Sequence, residues 1–185
     1  MIVFDFGFEK TKSTYSDYLK TPEGGKYQLI DGEIIEMPSP KTIHQQIIVL
    51  LSSEFIQKIH KKKKGVVFVA PMDVYLSETE TYQPDVFIIL NENTSIIEEN
   101  RIKGAPDLVV EILSPSTAYY DLRHKKNIYE ASGVKEYWIL DPIEKSLEIY
   151  SLKENKFILK AEYKQGEIAK SLLIADLEIN LTEVF

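Results

Sequence analysis

Two acidic residues stand in runs that are otherwise apolar. Asp85 opens Pro84-Asp85-Val86-Phe87-Ile88-Ile89-Leu90, and Glu111 interrupts Asp107-Leu108-Val109-Val110-Glu111-Ile112-Leu113. A carboxylate in such a run is costly to bury unless something pairs with it. One reading is that each sits at a strand end or meets a lysine or arginine. The other is that two carboxylates on adjacent strands hold a hard divalent cation, which takes oxygen ligands at about 2.0–2.1 Å in the case of magnesium. Asp107 competes with Asp85 as the partner of Glu111. It shares a strand face with Glu111, but four residues at about 3.3 Å each separate the two by roughly 13 Å, too far to share one ion. A neighbouring strand at about 4.8 Å brings its carboxylate beside Glu111, so Asp85 is the expected supplier, and Asp107 is expected to end a loop or support the edge of the site. Further along, Asp121, Lys125 and Tyr129 recur at i, i+4 and i+8 and share a helical face. Taken alone they read as a surface ion pair and a packed tyrosine. A helix that starts just past Glu111 can instead lean back over the same end of the sheet, where a lysine would neutralise charge on a transferring phosphoryl group.

The elements that must position these residues follow from pattern and punctuation. A short amphipathic helix around Tyr15, Tyr18 and Leu19 is broken by Pro22-Glu23-Gly24-Gly25. Tyr27–Ile30 and Ile34–Met37 flank Asp31-Gly32, a strong hairpin signal because glycine supplies the positive φ of a tight turn. Ile43, Ile47, Leu50, Leu51, Phe55 and Ile59 have helical spacing and predict a long helix from Pro40 to about His60, closed by Lys61–Lys64 with Gly65 just past its end. Strands follow at Val66–Val69, Met72–Leu76, Pro84–Leu90 and Asp107–Leu113, with an irregular stretch around Asn91–Lys103. Ala118 to Ser132 reads as a helix ending at Gly133, then come a buried strand Val134–Leu140, a hairpin from Ser146–Leu152 and Lys156–Tyr163, and a β-like pass near Leu172–Leu181. The order predicts an α+β fold with an α/β-type core: a central mixed β-sheet flanked by helices, with added hairpins.

Composition bounds the rest. With 185 residues, 44% hydrophobic and 28% charged, and no repeat or linker, one domain over 1–185 is expected. No cysteine is present, which excludes thiol catalysis, iron–sulfur clusters and cysteine-based zinc sites, so any metal must rest on Asp, Glu or one of three histidines. No apolar run approaches the roughly 20 residues of a membrane span, and the first residues lack a basic then apolar leader pattern, so a cytoplasmic protein without a membrane partner is expected. The net charge of −7 repels polyanions as a whole. A nucleic-acid partner therefore needs a local basic surface, for which Lys61–Lys64 and Arg123–Lys126 are the clusters available.

The block from Gly104 to Thr117, then Asp121-Leu122-Arg123 with Lys125 and Tyr129, then Gly133-Val134-Lys135-Glu136-Tyr137-Trp138-Ile139-Leu140-Asp141-Pro142, resembles the Uma2 family of restriction-endonuclease-like proteins. Leu29-Ile30-Asp31-Gly32-Glu33, Met37-Pro38-Ser39-Pro40 with His44, and Pro84-Asp85-Val86 extend the likeness over nearly the whole chain. The resemblance implies the restriction-endonuclease-like fold of the PD-(D/E)XK nuclease-like superfamily. It also implies an active site joining an Asp on one strand to a Glu-x-Lys on the next, with magnesium or a similar ion such as manganese. Mapped here, the Asp is Asp85 and the Glu is Glu111, the two metal ligands, while Leu113 stands where the lysine would be. The resemblance points to Lys125 as a lysine displaced onto the helix, in preference to Lys126. It points to His44 as the polar residue added from an early helix, ahead of Glu33 and Glu54, with Asp107, Asp121 and Tyr129 in support.

Three functions compete. A magnesium-dependent endodeoxyribonuclease would use Asp85, Glu111 and Lys125 to cut the DNA backbone. A nuclease-fold protein that binds nucleic acid or a protein partner without cutting is favoured by the missing Glu-x-Lys and the acidic balance. A glycosidase has only the two acids in its favour and no aromatic sugar platform near them. The C-terminal hairpin region reads either as sheet decoration or as the interface of a homodimer.

Overall fold

Strands that are apolar on both sides need cover on both sides, and the sheet at the centre of the molecule has it. The computed structural model describes residues 11–22, 25–114 and 120–185, the side chains of Tyr120 and Asp121 excepted. In chain order the elements are α1 (Tyr15–Tyr18), β1 (Tyr27–Ile30), β2 (Glu33–Glu36), α2 (Thr42–Phe55), β3 (Gly65–Val69), β4 (Val74–Ser77), β5 (Glu80–Tyr82), β6 (Val86–Leu90), β7 (Ile102–Lys103), β8 (Leu108–Ile112), α3 (Lys126–Ser132), β9 (Glu136–Asp141), β10 (Ser146–Lys153), β11 (Lys156–Lys164), β12 (Ile168–Lys170) and β13 (Glu178–Asn180). Among the described residues they form a six-stranded sheet ordered β11-β10-β9-β8-β6-β3, a five-stranded sheet ordered β2-β1-β5-β4-β7, and a β12-β13 ribbon. The β8–β9 pair is parallel and the other pairs of the central sheet are antiparallel, so the sheet is mixed, as the α+β reading requires. No helix among the described residues is long and apolar enough to cross a membrane.

The period-two alternation of the central strands sorts their side chains to two layers. Val86, Ile88, Val110, Trp138 and Leu140 face α2, where Ile47, Leu51 and Phe55 meet them. Phe87, Ile89, Val109, Tyr137 and Ile139 face the opposite way, against Tyr129 of α3 and against Ile30, Val74 and Tyr82 of the smaller sheet. The predicted Asp31-Gly32 turn is present with both residues at positive φ, and Gly133 ends α3 in the left-handed conformation at φ 91. The predicted 40–60 helix is α2 extended by a π-helical turn over Ile56–His60.

Several expectations are corrected. Gly65 does not cap that helix. Lys63 takes the left-handed conformation, while Gly65 begins β3, where a Cβ would come within 2.3 Å of the Ile89 carbonyl oxygen. The stretch 91–103 contains a 3₁₀ turn and β7, and β5 is an additional strand. The pass near 172–181 is a turn ahead of β13, which pairs with β12. The expected helix from Ala118 begins in residues outside those described. From Tyr120 to Lys125 it is a π-helical turn that runs into α3.

Candidate active site

The register of the central sheet sets the first relationship. Val86 pairs with Val110 and Phe87 with Val109, the pairing ends there, and Asp85, the residue before β6, instead reaches β8 with its side chain, at the N–H of Ile112 beside Glu111. Asp85 and Glu111 line the same cavity at this end of the sheet.

Each acid has its own support. The Asp85 carboxylate accepts a hydrogen bond from the Ile112 N–H at 2.7 Å, and His44 Nε2 lies 3.2 Å from the same oxygen. Among the described residues both contacts fall on Oδ2, leaving Oδ1 without one. Glu111 Oε1 accepts from the Lys125 ammonium at 3.1 Å and from the Tyr129 hydroxyl at 2.6 Å. Lys125 is 2% exposed, so it is a buried lysine and not a surface one. The Asp121 side chain lies outside the described residues. Complete burial, and after it the neighbouring Glu111 charge, push the Tyr129 hydroxyl well above its ordinary range, so it stays a donor at neutral pH.

A second layer holds the segment that carries Lys125. Glu80, buried in β5, accepts from the Asp31 N–H at 3.1 Å and from the Tyr82 hydroxyl, and His124 Nε2 lies 3.2 Å from its Oε1. The Tyr82 ring stands 5.9 Å from the Lys125 ammonium. Burial, then the bond to Glu80, raise the Tyr82 hydroxyl far above its ordinary range, so it too stays protonated.

These groups open into one cavity of about 380 Å³, lined by Asp85, Glu111, Lys125, His44 and Ser114 together with Gln28 and the Met37-Pro38-Ser39-Pro40 segment. Lys26 and Lys41 also line it and are exposed. The predicted Asp85, Glu111, Lys125, Tyr129 and His44 are thus brought together. Gln28, Lys26, Lys41 and Glu80 were not in that prediction, and nothing in the local pattern marks them, since Gln28, Lys26 and Glu80 arrive by packing of the smaller sheet against the larger and Lys41 stands at the start of α2.

Other expected members stand apart. Asp107 lies at the opposite end of β8, where its buried carboxylate accepts from the Leu90 N–H at 2.7 Å, from Asn93 Nδ2 at 3.2 Å and from the Lys135 ammonium at 2.6 Å. It ties loops to strands there and does not support the edge of the site. Glu33 and Glu54 do not line the cavity. Lys61–Lys64 lead into β3 at the Leu90 end of β6, about 16 Å of strand from Asp85, with Lys64 bonded to the Ala175 carbonyl. Arg123–Lys126 is not one basic patch: His124 faces Glu80, Lys125 is buried, and Lys126 lies 3.4 Å over the Tyr150 ring, its pKa lowered by burial.

The donor set suits a hard divalent cation. Two carboxylates in one cavity offer oxygens, and Gln28 Oε1, buried in the wall, has no hydrogen-bond partner among the described residues. Magnesium is an ion that keeps several waters when bound by one or two carboxylates.

Comparison with known proteins agrees with the fold. The crystal structure of a putative nuclease belonging to DUF820 from Anabaena variabilis shares the fold, with a TM-score of 0.76 at 20% identity over 93% of this chain and 97% of that one. The uncharacterized protein sll1609 of Synechocystis is 29% identical over 132 residues, which are 69% of this chain and 74% of that protein. The Uma2 model, described as "Putative restriction endonuclease", matches residues 14–182, and the chain belongs to the Uma2 family.

Proposed function

We propose that this chain is a magnesium- or manganese-dependent endonuclease that hydrolyses DNA phosphodiester bonds. The observation that carries the reading is that Asp85, held at the Ile112 N–H beside Glu111, lines one open cavity with Glu111, whose Oε1 lies 3.1 Å from the Lys125 ammonium. Asp85 and Glu111 would hold the ion, which when bound polarises a phosphoryl oxygen and acidifies water. The Ile112 N–H and His44 orient Asp85, and Tyr129 orients Glu111, so neither carboxylate must reorganise when substrate arrives. Lys125, fixed by Glu111 and by the Tyr82 ring, sets a positive charge in the cavity wall where charge grows on the phosphoryl group. Lys26 and Lys41 offer the exposed positive charge that a DNA backbone needs on an otherwise acidic molecule.

A second reading, a nuclease-fold protein that binds nucleic acid or a protein without cutting, draws on Leu113, which packs among apolar neighbours on the Glu111 face. Incubation with supercoiled, linear duplex and single-stranded DNA, in magnesium, manganese or chelator, separates the two. The endonuclease reading expects ion-dependent internal cuts by the wild type and none by Asp85→Asn. Retention of DNA without cutting in every condition supports the second reading.

A further inference from the structure

Gln28 sits in β1, between the exposed Lys26 of the cavity wall and the core residues Leu29 and Ile30. It is 5% exposed, it lines the cavity that holds Asp85, Glu111 and Lys125, and its Oε1 finds no donor among the described residues. A buried carboxamide oxygen without a partner is destabilising, and an apolar side chain at this strand position would avoid that cost. The chain keeps an acceptor here, inside a wall it shares with two carboxylates.

The chemistry of the acceptor narrows what completes it. An amide oxygen is a neutral, hard donor, of the class that divalent cations of the magnesium type take into their shell. Asp85 and Glu111 already match the two positive charges of such an ion. A third carboxylate would add negative charge where a phosphate must approach, whereas an amide adds an oxygen and no charge. We propose that Gln28 Oε1 is a third protein oxygen for the cation held by Asp85 and Glu111, an inference that rests on reading the cavity as a cation site.

The test uses the full chain and Mn²⁺, followed by the loss of the free-ion signal in electron paramagnetic resonance, with thermal melts alongside. Wild type is expected to bind one ion and Asp85→Asn to bind none. Gln28→Met should weaken binding by about tenfold, the size of loss typical of supporting groups around a metal. Gln28→Glu, nearly the same shape with an added charge, should tighten it by a similar factor, and it decides the matter if the Met variant melts early. If both Gln28 variants bind as wild type does while Asp85→Asn binds nothing, Gln28 has no part in the cation's shell and the two-carboxylate reading stands alone. If wild type itself binds no Mn²⁺, the cation reading falls and this inference with it.

Discussion

The Lys125 ammonium lies 3.1 Å from Oε1 of Glu111, both side chains buried, although fourteen residues and a change from strand to helix separate them. On the proposed reading, a lysine in that position would serve the chemistry of the site as well as the charge balance of the interior. Lys125→Met should lower the cleavage rate by about 10²-fold or more with little change in substrate affinity, as expected for a group acting on the transition state. It should also destabilise the fold by about 3 kcal/mol, since Glu111 is left buried without its cation. Lys126→Ala, which gives up only the contact over Tyr150, should cost about 1 kcal/mol of stability and leave the rate near wild type. Single-turnover rates and melts of the two variants check this, and equal near-wild-type rates would remove Lys125 from the site.

What could be read in advance is what short-range physics dictates. Asp85 and Glu111 are legible because a charge in an apolar strand needs a reason, and the four-residue spacing leaves Asp107 too far away. That Lys125 and Tyr129 share a face, on a helix leaning over the Glu111 end of the sheet, is legible from the i, i+4 step and the short connection after β8, whereas their bonds to Glu111 are not. Gln28, Lys26 and Glu80 are not, because each becomes part of the site only when the hairpin sheet packs on the central one, and no local pattern encodes that contact. Gly65 shows the same limit in reverse. Its spacing fits a helix cap, but the close approach of the Ile89 carbonyl is what requires glycine there.

Glu80 anchors the π-helical turn ahead of α3 through His124 and steadies the ring that faces Lys125. As a positioning residue it should act on turnover more than on binding. Glu80→Ala is expected to lower kcat by about tenfold while KM stays within a small factor, and Glu80→Gln, which keeps an acceptor for the Asp31 N–H and the Tyr82 hydroxyl, should recover most of the loss. A loss shared equally by Glu80→Gln, or a change in KM alone, would contradict that role.

The buried tyrosine makes a pH prediction. The folded chain binds the Tyr129 proton more tightly than the unfolded chain does, because burial and the Glu111 charge disfavour the phenolate. Its contribution to stability is therefore whole below about pH 10 and falls as pH rises past that value, by about 1.4 kcal/mol per pH unit. Denaturant melts between pH 8 and 11.5 should show the wild type losing stability above pH 10, and Tyr129→Phe losing it less steeply by about that amount. An unchanged slope in the variant would show that Tyr129 is not held protonated by its surroundings.

The central claim is that Asp85 and Glu111 together form a working divalent-cation site, and it can be tested without knowing which DNA the chain prefers. Calorimetric titration of Mn²⁺ into the wild type, Asp85→Ala, Glu111→Ala and Asp107→Asn measures it most directly. The account predicts one ion bound by the wild type and by Asp107→Asn, whose substitution lies at the other end of β8, and none by Asp85→Ala or Glu111→Ala. Binding that persists unchanged in Asp85→Ala and Glu111→Ala would contradict it.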